Sequence, residues 1–263
     1  MELLSWLKTG SSKTSPGPGI LMGTCSPEHS LLQDYKENMH SILPNAKSLI
    51  VVVMAHSTAA LDTENVQIKQ YDTMYAYDKA VELTHFLSRE IESEGYKAVS
   101  VPVYLPMDML GEGKGMRGEI CWRRAGVAAG LGFFGKNGLL ITEEYGPRVR
   151  LGGVLTDFPL NKSYDNESHG GGPEKCGNCN ICLEKCPVNA LEEASINKKI
   201  CGDNLFEYGL RRYANFLGEL SSADDNKIKE KIKSPELREL WQNFMTGCYY
   251  YCWKCQSSCP VGR

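Results

Sequence analysis

Hydrophobic positions along the chain change period several times, and each change marks an element. Leu3, Leu4, Trp6 and Leu7 allow one or two apolar helical turns within residues 1–10. Ser11–Gly19 (SSKTSPGPG) then interrupts regular structure, because serine, proline and glycine dominate it. Ser48–Ala55 (SLIVVVMA) is a continuous apolar, β-branched run, which predicts a strand covered on both faces. From Asp72 to Glu94 the period lengthens: Tyr77, Ala80, Leu83, Leu87 and Ile91 recur every three or four residues, a helix that Gly95 stops. Val99, Val101 and Val103 alternate as a strand does. Gly111–Gly118 (GEGKGMRG) reads as a glycine-rich connector that fits neither the dinucleotide nor the P-loop pattern. Glu119–Ala129 is a further helix and Gly130–Gly138 a turn. Leu139–Thr142 and Val149–Thr156 are strands joined hairpin-fashion by residues 143–148. Strand, helix, strand and paired strands together predict an α+β fold, a mixed β-sheet with flanking helices.

Polarity changes again at Asn161–Lys175, which contains His169-Gly-Gly-Gly-Pro173 and has the composition of a linker. It divides residues 1–160, an α/β cofactor or substrate domain, from residues 161–263. In the second part Ser234-Pro235-Glu236 is a helix start, with a capping hydroxyl, a proline in the first turn and an acid at the positive dipole end. Leu237, Leu240, Trp241, Phe244 and Met245 follow as one apolar stripe, expected to pack against its own module.

The chemistry lies in the cysteines of that second part. Cys176, Cys179, Cys182, Cys186 and Pro187 spell C-x2-C-x2-C-x3-C-P, the run that holds a [4Fe–4S] cube in bacterial ferredoxins. Cys252, Cys255, Cys259 and Pro260 form a partner motif. In such pairs three cysteines of one motif wrap a cube and the fourth ligates the other. The first cube therefore takes Cys176, Cys179, Cys182 and Cys259, and the second takes Cys186, Cys252 and Cys255. The eighth ligand is left open by spacing: a plain repeat would place it at Tyr249, and Cys248 and Cys201 are nearby, with Cys25 and Cys121 remote. Zinc favours paired C-x2-C units without a trailing Cys-Pro, and a disulfide framework suits small secreted chains rather than 263 residues.

Composition narrows the remainder. The 42% hydrophobic content supports an ordinary core, and a net charge of −3 calls for neither nucleic acid nor an anionic membrane. The longest apolar run, Leu49–Ala55, falls far short of the roughly 20 residues that span a bilayer. Met1-Glu2-Leu3-Leu4 lacks the positive charge of a signal peptide. A cytoplasmic protein is expected, in which eleven cysteines serve metal or redox chemistry.

Four blocks of sequence resemble the epoxyqueuosine reductase family, itself related to the iron–sulfur and corrinoid core of reductive dehalogenases. They are Pro44–Val53, Ala129–Ile141 (AGLGFFGKNGLLI), Leu155–Leu160 and the double cysteine motif. The resemblance implies a corrinoid-type first domain holding a base-off cobalamin, followed by a ferredoxin-like helical module with two [4Fe–4S] clusters that pass electrons to cobalt. It also implies Cys201, fifteen residues after Cys186, as the eighth ligand. None of the five histidines lies in a D-x-H-x-x-G arrangement, in keeping with base-off binding. Two departures stand out. The family's aspartate acid, fourteen residues before Gly130, falls here on Met116, and the helical-repeat domain that helps hold tRNA does not follow Pro260.

The expected function is an iron–sulfur oxidoreductase delivering low-potential electrons to a cofactor, a base-off corrinoid, for reduction of an unassigned small molecule. The alternatives are an electron carrier without chemistry of its own and an epoxyqueuosine reductase acting on tRNA. A ferredoxin or flavodoxin would serve as donor, and neither nucleic acid nor a membrane is expected as a partner. Positive residues gather between Lys114 and Arg150, and Lys136, Asn137 and Arg148 are the candidate cofactor contacts. No catalytic residue is assigned.

Overall fold

The computed structural model describes residues 13–102, 117–160, 172–192, 195–205, 210–247 and 252–263. Its first half is built on a five-stranded sheet of order β1-β2-β3-β7-β4, with β1 Lys13–Gly17, β2 Ile20–Cys25, β3 Ser48–Ala55, β4 Ala98–Val101 and β7 Val149–Thr156. Every pairing in it is antiparallel. The expected mixed sheet is thus corrected. Each neighbouring pair runs in opposite directions, so no crossover between parallel strands is needed. β1 corrects a second expectation, because Lys13–Gly17 pairs with β2 despite its proline and glycine. It is an edge strand, where a missing N–H is tolerated, and its register shifts between Thr14 and Gly17.

The run that predicted a doubly covered strand forms β3, at the centre of the sheet, pairing with β2 and β7. Leu49, Val51 and Val53 face one layer and Ile50 and Val52 the other. On the first face lie α1 (Lys36–Ile42) and α4 (Trp122–Ala128), which bring Met39, Trp122, Ala125 and Val127 into the core. Gly153 of β7 makes this packing possible, since an added Cβ would meet the Trp122 ring at 2.4 Å and the Ile50 carbonyl oxygen at 2.1 Å. After the short α2 (Thr58–Asp62), α3 (Val66–Ser93) covers the second face with Ala76, Ala80, Leu87 and Ile91. It begins six residues before the expected Asp72, because Asn65 Oδ1 accepts from the Ile68 N–H and caps the earlier start.

Residues 130–138 hold more than a turn. β5 (Phe133–Phe134) pairs with β6 (Leu140–Ile141) in a separate two-stranded ribbon. The expected hairpin between residues 139–142 and 149–156 is therefore corrected, as β6 pairs backwards with β5 while β7 enters the large sheet. The apolar helical turns of residues 1–10, Val103, most of the glycine-rich connector and residues 161–171 of the linker fall outside the described residues.

The second half is helical: α5 (Ile181–Glu184), α6 (Lys198–Leu205), α7 (Leu210–Ser221), α8 (Asp225–Ile232), α9 (Pro235–Thr246) and α10 (Lys254–Ser257). α9 starts as read, with Ser234 Oγ accepting from the Leu237 N–H and Pro235 in the first turn. Its stripe does not bury as a unit. Leu240 is 3% exposed, but Trp241, Phe244 and Met245 are 61%, 43% and 68% exposed.

Candidate functional site

The two cysteine motifs enter short helices that touch one another, Cys182 in α5 and Cys255 in α10. Their thiols fall into two groups of electrostatic neighbours. Burial raises the pKa of Cys182, and Cys176, Cys259 and Cys179 raise it further, against a Leu183 backbone N–H that lowers it. Cys259 is raised first by burial, with Cys176 and Cys179 adding to it and the Val261 N–H and Arg148 opposing. In the other group burial raises Cys201, reinforced by Cys252 and Cys186. Cys255 is pushed up to about 12 by burial and then by Cys252, Cys201, Cys182 and Cys186, so it touches both sets. Each set draws on both motifs.

Among the described residues no group of three or more His, Cys, Asp or Glu side chains is arranged to hold a single metal ion. A cubane asks for something different, because each thiolate binds its own iron and the four sulfurs spread around the cube. Thiols gathered where their ionisation is disfavoured suit such a ligand, since coordination removes the proton that burial otherwise retains. Backbone N–H groups also point at the sulfurs: Ala190 donates to Cys186 Sγ at 3.2 Å, beside the Leu183 and Val261 contacts. Of the other cysteines, Cys25 is fully buried in the sheet core, where burial pushes its pKa up to about 12. Cys121 caps α4 beside Tyr35 and Arg124, and Cys248 lies outside the described residues.

Lys136, Asn137 and Arg148 are all buried, and all turn toward the cysteine motifs. Lys136 Nζ donates to the Gly177 carbonyl and to Asn180 Oδ1, each at 2.9 Å. Asn137 Nδ2 donates to the Cys255 carbonyl at 3.4 Å. Arg148, 1% exposed, donates to the carbonyls of Gln256, Cys259 and Val261 at 3.4, 2.8 and 2.6 Å. Gln256 answers by donating to the Pro147 carbonyl at 2.9 Å. Gly146 lets the chains meet here: at φ +56 it sits so close to residue 261 that a Cβ would lie 2.1 Å from the Val261 oxygen. On the far side Trp253, between Cys252 and Cys255, donates its indole N–H to Thr73 Oγ1 of α3 at 2.9 Å.

A buried pair that sequence reasoning missed lies at the end of β3. His56 Nδ1 lies 2.5 Å from Asp72 Oδ2, and Asp72 Oδ1 accepts from the Ser57 N–H at 3.1 Å. Burial, and then Arg150, push the His56 pKa down to about 4, against the pull of Asp72. No motif announces the pair, because its members meet only when α3 packs on the sheet. Asp72 also walls a cavity of about 470 Å3 between the β1–β2 turn, the end of β3 and α3. That is the size of a small-ligand site and smaller than a whole corrinoid with its nucleotide tail.

The fold and the paired cysteine sets define an α+β protein of the kind found in epoxyqueuosine reductases. A solved epoxyqueuosine reductase carrying a tRNA-Tyr epoxyqueuosine-modified tRNA stem loop superposes with a TM-score of 0.54 at 20% identity, over 99% of this chain and 64% of that one. In sequence the chain is 32% identical over 168 residues to the epoxyqueuosine reductase of Gloeobacter violaceus, covering 61% of this chain and 46% of that protein. It is 30% identical over 149 residues to a tetrachloroethene reductive dehalogenase of Desulfitobacterium hafniense, covering 55% and 23%. The chain is thus similar to epoxyqueuosine reductases and, over a shorter share, to reductive dehalogenases, and it spans less than half the length of these two curated relatives. No family model matches it. The tRNA in the solved relative removes the ground for setting nucleic acid aside, and that expectation is corrected. No helix among the described residues is long and apolar enough to cross a membrane.

Proposed function

We propose that the chain is an iron–sulfur oxidoreductase whose two [4Fe–4S] clusters deliver low-potential electrons to an acceptor bound by the first domain. The observation that supports this reading is the mutual electrostatic influence among thiols of the two motifs and Cys201, with Cys255 beside members of both groups. Cys176, Cys179, Cys182 and Cys259 would hold one cube, and Cys186, Cys201, Cys252 and Cys255 the other. Two such cubes, when bound, would supply one-electron transfer. The protein's own part is electrostatic. Arg148 places a buried cation beside Cys259, and N–H donors from Leu183, Ala190 and Val261 favour the extra negative charge of a reduced cluster. The family resemblance supports a base-off corrinoid as the acceptor.

Anaerobically purified protein is expected to contain about eight irons and eight sulfides, from two cubes of four. Cys201→Ser should lose one cube or convert it to a three-iron form, read by iron content and electron paramagnetic resonance, while Cys248→Ser keeps both. Equal iron loss from the two variants would refute the ligand assignment. Cobalamin titration of the reduced protein then tests the acceptor: a stoichiometric base-off Co(II) signal supports the corrinoid, and no binding with both clusters redox-active identifies an electron carrier.

A second reading, reduction of epoxyqueuosine in tRNA, is favoured by the names of the relatives. It requires a proton donor other than the family's aspartate, because Met116 stands at that position. Turnover of epoxyqueuosine-bearing stem loop by the reduced protein would select it.

A further inference from the structure

The cavity beside Asp72 has a chemical character that its walls define. Ile20, Met54, Ala76 and Leu83 make an apolar lining, and Tyr75 and Phe86, 55% and 49% exposed, stand at its rim as large solvated aromatics. Lys79 and Glu82 also line it but neutralise each other, 2.6 Å apart one helical turn along α3. Asp72 differs. Among the described residues its only charged-type partner is His56, whose side chain is wholly buried, and no lysine or arginine pairs with it. An imidazole that donates from Nδ1 while buried brings no positive charge, and His56 Nε2 is left as a buried acceptor without a partner among the described residues. The carboxylate therefore stands at the wall of an apolar space with no lysine or arginine paired to it among the described residues. Its two oxygens each accept one N–H, from His56 and Ser57, and each retains a lone pair for another donor. The two N–H bonds also fix its orientation, so a ligand would not bear the cost of ordering it.

We infer that this cavity binds a small organic cation, an apolar or aromatic body bearing one protonated amine, with the ammonium received by Asp72 and the body laid between Ala76, Leu83 and the Tyr75 and Phe86 rings. A carboxylate above an apolar floor suits such a ligand, since the charge-assisted hydrogen bond and the apolar contact act together; Lys79 already lies 5.7 Å over the Tyr75 ring, so Phe86 offers the aromatic face to a cation. An anion of the same shape would meet like charge. The cavity lies one helix residue from Thr73, which holds Trp253 between two cysteines of the second set.

Ligand-observed NMR on the full-length, anaerobically purified protein tests the site, with 2-phenylethylammonium as probe and 3-phenylpropanoate as its anionic counterpart. The ammonium should bind and the carboxylate should not. Asp72→Asn, which keeps the shape, should weaken the ammonium by about tenfold or more, the loss of one charge-assisted bond. Ala76→Phe, filling the space from the helix side, should abolish binding, and Glu82→Gln should leave it within about twofold. Equal binding of the two probes, an unaffected Asp72→Asn variant, or no binding of either probe to folded protein would overturn the site. Iron content and reducibility are read on the same sample. Binding without clusters would sink the proposed function and spare the site, and intact clusters without binding would do the reverse.

Discussion

Arg148 is the residue on which the two halves of the molecule meet. Its guanidinium serves three backbone carbonyls of the terminal motif in a fork that a lysine ammonium cannot reproduce. Arg148→Lys should destabilise the protein by about 2–4 kcal/mol, the cost of carbonyls left unsatisfied in a buried site, measured by denaturant unfolding. His56 makes a different prediction at the same scale. Folded, it protonates near 4, and unfolded, near 6.5. Between those values the unfolded chain binds more protons, so the contribution of His56 is complete above pH 6.5 and is lost as pH falls toward 4. At about 1.4 kcal/mol per pH unit the full loss is on the order of 3 kcal/mol. Wild type should therefore lose more stability than His56→Gln between pH 7 and pH 4.5, in unfolding measured side by side. An identical pH profile for the two proteins would contradict the buried neutral imidazole.

Among the elements, α9 separates pattern from packing. Its cap, its proline and its apolar spacing are all local properties, and all are present as read. Which side of the stripe meets a neighbour depends on how α9 leans on α8, and only Leu240 and Asn243 are buried. Leu240→Ala should cost about 2–4 kcal/mol, whereas Trp241→Ser and Met245→Gln, already solvated, should change stability by less than about 0.5 kcal/mol in the same thermal or denaturant assay. The same distinction explains the sheet. β3 was legible to the residue because it is buried on both faces and carries a continuous apolar run, and β7 because Val149, Leu151, Val154 and Leu155 mark a strand that is mostly buried. β1 was not, because its pairing with β2 overrides a proline and glycine content that reads locally as a breaker. β5 was hidden inside a glycine-flanked turn, and β6 revealed its existence but not its partner. The two cysteine motifs were legible from their spacing, and they do enter short helices that touch. Lys136 and Arg148 stand out in the sequence only as members of a run of positive residues, and that they grip carbonyls of a distant motif is a tertiary fact no spacing encodes.

At the scale of the molecule, the contacts between the halves are numerous and mostly buried: Lys136 to Gly177, Asn137 to Cys255, Gln256 to Pro147, Trp253 to Thr73, and the close passage of Gly146 and Val261. They are backbone-directed and rigid, so the distance from the cysteine sets to the sheet is set by packing. If those contacts hold the halves together, a cut within residues 161–171 leaves them associated. A gene divided at that stretch, expressing residues 1–160 and 172–263 as separate chains in one cell, should yield a complementing pair that co-purifies through a tag on either piece. Fragments that elute apart would show that the peptide tether, and not the seam, keeps the halves together. If the pair assembles, the cysteine-bearing half is a detachable cartridge, exchangeable between relatives whose seams match.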